Sequence, residues 1–109
     1  MKKDEGSCGH SQESQALLIS KEGYLENAVV WLYGRFDQGA APISSPPTLD
    51  QRNCHFEPHV LLVSQGQRFL IGNSDPMGHD VRAFDGAQML FRFEIEPNSD
   101  PVEKMFEKP

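Results

Sequence analysis

The sequence predicts an all-β domain, a sandwich or barrel, and three observations carry that expectation. Short apolar runs recur with turn residues between them, no stretch demands a helix of ordinary length, and 8 Pro and 9 Gly punctuate a chain of 109 residues. At that length, with 38% hydrophobic residues, the chain supports one modest core and not two.

Taken in order, residues 1–15 are polar and hold Gly6, Gly9 and three serines. They offer too little apolar surface to offset the entropy of ordering them, so they predict a flexible lead-in to a domain spanning 16–109. Ala16-Leu17-Leu18-Ile19 is a short apolar run ended by the turn-like Lys21-Glu22-Gly23, which predicts a first strand. Asn27 to Tyr33 is rich in β-branched and aromatic residues, and its apolar continuity predicts a strand covered on both faces. Residues 34–53 carry Gly34, Gly39, Pro42, Pro46 and Pro47, which read as a long loop because proline neither continues a helix nor donates to a ladder.

Three linked strands are expected next, over 56–64, 68–73 and 79–84, with Gln65-Gly66-Gln67 and Ser74-Asp75-Pro76-Met77-Gly78 as turns. The segment Leu90 to Glu96 alternates, placing Phe91, Phe93 and Ile95 on a buried face and Leu90, Arg92, Glu94 and Glu96 on a wet one. A last short strand is expected over 102–106. Trp31, Phe56, Phe69, Phe91 and Phe93 are the expected core aromatics.

Charge narrows the partners. Lys and Arg number 10 against 16 Asp and Glu, a formal charge of -6, with no basic cluster. That disfavours nucleic acid and anionic membranes, which are bound by displacing counterions, and favours a basic partner. No run approaches the roughly 20 apolar residues of a membrane span, and Met1-Lys2-Lys3 leads into Asp4-Glu5-Gly6 and not into an apolar signal core, so the chain is expected to be soluble. Catalysis is not expected: there is no G-x-S-x-G elbow, no H-E-x-x-H and no phosphate loop. Cys54 and His55, as neighbours on a strand, point to opposite faces, and the carboxylates of Glu94 and Glu96 share a solvated one. Two cysteines, Cys8 and Cys54, exclude a zinc finger or a dense disulfide scaffold and leave one bridge, two thiols or one metal ligand.

The run from Cys54 through Val81, containing Phe56-Glu57-Pro58-His59-Val60, a Gly66 turn, a second apolar strand ending at Asn73, and the loop to His79, resembles the cupredoxin family. Blue copper proteins show those features in that order. Gly23 to Leu32 and the lead-in Leu49-Asp50-Gln51-Arg52-Asn53-Cys54 resemble a bacterial subgroup of secreted cupredoxin-like domains, of methylamine-utilisation or plastocyanin-like type, extending the likeness from about Cys8 to Pro109.

The resemblance implies a Greek-key β-sandwich, copper as cofactor, and one-electron transfer or copper carriage in the periplasm or outside the cell, with a redox protein as partner. A blue copper centre takes two His, a Cys thiolate and a weak axial Met. In the family the Cys, the second His and the Met come from a loop before the last strand, and this chain ends where that loop would begin. The resemblance therefore implies a fragment, incomplete at its C-terminal strand, with part of its metal site missing and an unpaired edge open to self-association.

His79 is then the first ligand, as an alternative to a histidine that merely caps a turn. His59 is a candidate second ligand or an edge histidine, and Met77 a soft Cu(I) ligand or packing filler. His55 and His10 read as solvated. Asn73 would brace the ligand loop through hydrogen bonds, Asp80 would orient the imidazole from behind, and Asp75 reads as ordinary turn chemistry. For Cys54 the position far from the family's ligand loop disfavours a thiolate ligand, leaving a buried thiol or, preferred, a Cys8–Cys54 disulfide adding about 3–4 kcal/mol in an oxidising compartment. Two other functions compete: a metal-free β-sandwich interaction module of a secreted protein, and a copper carrier using His59, His79 and Met77.

Overall fold

The structure, a computed structural model, describes residues 5–9, 11–35 and 43–108; His10 lies outside them. Its secondary structure is almost wholly β. Among the described residues a single helical turn, α1 (Glu5–Cys8), precedes β1 (Thr48–Arg52), β2 (His55–Glu57), β3 (Arg68–Ile71), β4 (His79–Asp85), β5 (Gln88–Ile95) and β6 (Val102–Met105). The strands form a four-stranded sheet in the order β2-β1-β3-β6 and a two-stranded sheet of β4 and β5.

Within the larger sheet β1 and β2 form a hairpin, β1 runs parallel to β3 with Leu49 opposite Ile71, and β6 runs antiparallel to β3 with Val102 opposite Ile71. In the smaller, His79 pairs with Ile95 and Val81 with Phe93, and the strands turn at Gly86, whose positive φ of 57° suits the first central position of a two-residue hairpin loop. The sheets meet through Phe69 and Ile71 of β3, Val81 of β4 and Ile95 of β5, all buried. Leu61, Val63, Phe91, Phe93, Val102 and Phe106 pack around them, with the Phe106 ring 5.4 Å from Phe69 and 6.1 Å from Phe91. The alternation of β5 is realised: Phe91, Phe93 and Ile95 turn inward while Leu90, Arg92 and Glu94 face out.

Three expectations need correction. No strand forms over 27–33: these residues carry no ladder, and Val30, Trp31 and Tyr33 are 89%, 76% and 99% exposed. Apolar continuity identifies residues that suit a sheet, but a strand exists only where a second strand supplies hydrogen bonds. The run 16–19 contributes one bridge, Ile19 to Leu25, across the turn at Gly23. Second, the loop assigned to 34–53 ends in β1. Pro46 and Pro47 sit just ahead of it, where proline is tolerated, and Gln51 hides the inward face because it is buried polar, its Nε2 donating to the Gly72 carbonyl at 3.1 Å. Third, the strand expected over 56–64 is realised as β2 alone, ending before Pro58, which has no N–H for the ladder. Of the expected core aromatics, Trp31 and Phe56 are exposed.

Candidate functional site

The site is built where the β1–β2 turn meets the loop between β3 and β4. Asn53 and Cys54 occupy the turn with φ of 52° and 64°, both in the left-handed region that a two-residue hairpin loop of type I′ requires. Asparagine accepts that conformation readily, whereas a cysteine there is uncommon and must be held by its surroundings. Two things hold it. Cys54 is disulfide-bonded to Cys8, with the Cα atoms 5.5 Å apart. The carboxylate of Asp75 receives both turn amides, Asn53 N–H on Oδ1 at 2.7 Å and Cys54 N–H on Oδ2 at 2.9 Å.

Asp75 is 4% exposed. Burial alone raises its pKa, but the hydrogen bonds from Cys54, His79 and Asn53 and the nearby imidazole outweigh that, and the net displacement is downward from 3.8. The group is therefore a carboxylate, an acceptor only, and this fixes the roles in its contact with His79. Nε2 of His79 lies 2.8 Å from Asp75 Oδ2, so Nε2 carries the hydrogen and donates it, and in a neutral ring the lone pair then sits on Nδ1. The His79 side chain retains 19% of its exposure at the start of β4.

Asn73, also buried, holds the loop in shape. Its Oδ1 accepts from the Asp75 N–H at 3.0 Å, and its Nδ2 donates to the carbonyls of Met77 at 2.7 Å and of Ile95 and Glu96 at 3.3 Å. One side chain thus ties the loop to the end of β5. The Met77 sulfur rests 3.8 Å from Cys8 Sγ, a sulfur–sulfur contact, since a bridged cysteine has no hydrogen to give. Gln12 clasps the far side of the turn: its Nε2 donates to the carbonyls of Cys8 at 2.7 Å and Asn53 at 3.0 Å, while its Oε1 lies 3.3 Å from His55 Nδ1.

The fold therefore brings together Cys8, Cys54, Asn73, Asp75, Met77 and His79. His59 stands apart, exposed on the stretch after β2. Asp80, expected behind the imidazole, points to the outer face of β4, where Arg82 and Arg92 donate to it at 2.7 and 2.9 Å. The hydrogen bonds from Arg92 and then Arg82 lower its pKa. The carboxylate on His79 is instead Asp75, read from sequence as turn chemistry. The signal that could have found it is the spacing Asp75-Pro76-Met77-Gly78-His79, in which Pro and Gly fold the loop back far enough for a residue and its fourth neighbour to meet. Among the described residues no group of three or more His, Cys, Asp and Glu is gathered as a metal cage. None of their helices is long and apolar enough to cross a membrane. No family model, curated protein or solved structure matches the chain.

Proposed function

We propose that this chain is a cupredoxin-like copper-binding domain, for electron transfer or copper carriage and without catalysis of its own, in which His79 is a metal ligand. The observation that carries the proposal is the hydrogen bond from His79 Nε2 to the buried Asp75. A carboxylate behind a ligating imidazole fixes its tautomer and ring orientation and raises its basicity, the arrangement that metal-binding histidines use. Nδ1 is the nitrogen left to bind. Copper bound there would supply one-electron chemistry, with Asp75 holding the ring and Asn73 holding the loop. Met77, packed on Cys8, and His59, on the stretch after β2, are carried as further ligands only by the likeness to the family. The Cys8–Cys54 bridge supports an oxidising compartment, the periplasm or outside the cell, and the charge of -6 supports a basic redox partner.

Titrating Cu(II) into the chain, followed by electron paramagnetic resonance, tests this. The expected result is a histidine-type copper signal lost in His79→Ala. An unchanged signal in that variant removes His79 from the site, and no binding at all overturns the proposal.

A second function is favoured by a different observation. The run Val29 to Tyr33 is exposed and unpaired, and an apolar patch of that kind on a soluble domain marks a contact surface. An interaction module of a secreted protein would use it, either for a partner or for a second copy along an open strand edge such as β6. That function is indifferent to His79→Ala and sensitive to Trp31→Asp, with gel filtration and partner capture by the purified chain as readouts.

A further inference from the structure

The β1–β2 turn and the His79 ring share one oxygen atom. Asp75 Oδ2 accepts from the Cys54 N–H at 2.9 Å and from His79 Nε2 at 2.8 Å. Cys54 presents that N–H from a φ of 64°, a conformation that strains a residue with a β-carbon and persists where surroundings impose it. The surroundings are the bridge to Cys8, which spans 46 positions in the chain, the Asp75 carboxylate that receives both turn amides, and the Gln12 clasp on the Asn53 carbonyl. The Met77 sulfur completes the path by resting on Cys8 at 3.8 Å. A continuous chain of contacts therefore runs from the disulfide through the turn amides and the carboxylate to the imidazole.

We propose that the Cys8–Cys54 disulfide and Asp75 form a single positioning unit for His79, so that the redox state of the bridge sets the tautomer and orientation of the ring. The inference rests on the proposed role of His79 for its purpose but not for its physics, which involves no metal. A dithiol reductant breaks the S–S bond by delivering two electrons, and two protons go to the sulfurs of Cys8 and Cys54, while the reductant closes to its own disulfide. Released from Cys8, Cys54 relaxes from the left-handed region, and its N–H leaves Asp75 Oδ2. The carboxylate then loses one of the two amides that aim it, and His79 loses its fixed acceptor. Asp75 and the bridge are positioning groups; neither needs to touch the bound metal.

The test reads the ring nitrogens of His79 directly, by two-bond proton–nitrogen correlation on the full chain labelled with nitrogen-15, at a mildly alkaline pH where an ordinary imidazole is neutral. In the oxidised protein the two nitrogens are expected to be widely separated, as in a single tautomer with hydrogen on Nε2. In protein reduced by a dithiol they should converge toward the values of an averaged ring, as they should in Cys8→Ser, while backbone signals of β4 and β5 stay in place. The combination Cys8→Ser with Cys54→Gly removes the bridge but gives the turn a residue that takes positive φ without strain, and it should restore the single tautomer. Asp75→Asn should abolish it even with the bridge intact. An unshifted His79 ring in folded, reduced protein overturns the proposal. So does failure of Asp75→Asn to move it, which remains measurable if reduction unfolds the chain. Copper affinity, measured separately, should fall on the order of 10–100-fold on reduction. A chain that binds no copper but shows the tautomer change would sink the copper function and leave the coupling standing.

Discussion

Residues 16–33 and residues 68–106 both contain strand-forming sequence, and the structure treats them in opposite ways. The later region finds partners: β3 pairs with β6, β4 with β5, and the four residues Phe69, Ile71, Val81 and Ile95 disappear from solvent between the sheets. The earlier one holds Leu17, Ile19, Leu25 and the Val29–Tyr33 run at the surface, with one bridge between Ile19 and Leu25. The difference lies in pairing and not in composition. In β4 and β5 apolar and polar residues alternate, so a strand can offer one face to a core and the other to water. The continuous apolar run Ala28 to Tyr33 has no wet face, and it can be satisfied only by cover on both sides.

The strongest way to break this comparison is to cut side chains in each region. Ile71→Ala, at a residue 2% exposed, is expected to cost about 2–5 kcal/mol by chemical denaturation, whereas Trp31→Ala should stay within about 0.5 kcal/mol. A loss at Trp31 as large as that at Ile71 would mean that the run is covered in solution. Reducing the Cys8–Cys54 bridge should lower stability by about 3–4 kcal/mol, read from denaturation midpoints with and without reductant, because the bridge limits the freedom of the unfolded chain. An equal midpoint would show that the N-terminal lead contributes nothing to the folded domain.

Asp75→Ala should cost about 1–3 kcal/mol, since it orphans two turn amides and an imidazole N–H. Its pH signature follows from the downward displacement of the carboxyl from 3.8. The folded state holds this proton less tightly than the unfolded state, so the stabilisation is complete above 3.8 and disappears as pH falls through the lower folded value. Acid titration of the wild type against Asp75→Asn should show the wild type losing stability in that window and the variant losing less. The smallest effect is expected at Asp80, whose ion pairs with Arg82 and Arg92 lie on the outer face of β4. Asp80→Asn should shift the denaturation midpoint slightly at low salt and not at high salt, since exposed pairs are screened.

Much of the later half was legible because turn chemistry and alternation are local. The hairpin of β4 and β5, the inward set Phe91, Phe93 and Ile95, and a turn around Gly66 all follow from residues within a few positions of one another. Of the residues gathered at the site, the sequence singled out His79, Asn73, Met77 and the Cys8–Cys54 pair, but not Asp75. Asp75 carries the electrostatics, yet from sequence it is one of several turn-forming residues, because its partners Asn53 and Cys54 lie 22 and 21 positions away. Gln12 escaped notice for the same reason, its partner Asn53 being 41 positions distant. β1 escaped because its buried residue is Gln51, and a glutamine enters a core only when a carbonyl such as that of Gly72 waits for it.

By itself the sequence determined that this protein is built of short strands joined by tight turns, that it carries net negative charge, and that a histidine follows a Pro- and Gly-containing loop. Those properties depend on residue chemistry and near neighbours, which the order of the chain displays. The tertiary structure alone decided which apolar runs gain partners, that β1 lies parallel beside β3, and that one carboxylate joins a disulfide-bearing turn to that histidine. Such choices turn on which distant groups come within hydrogen-bonding distance. Burial makes them consequential, because a polar group removed from water must find its partner inside the fold.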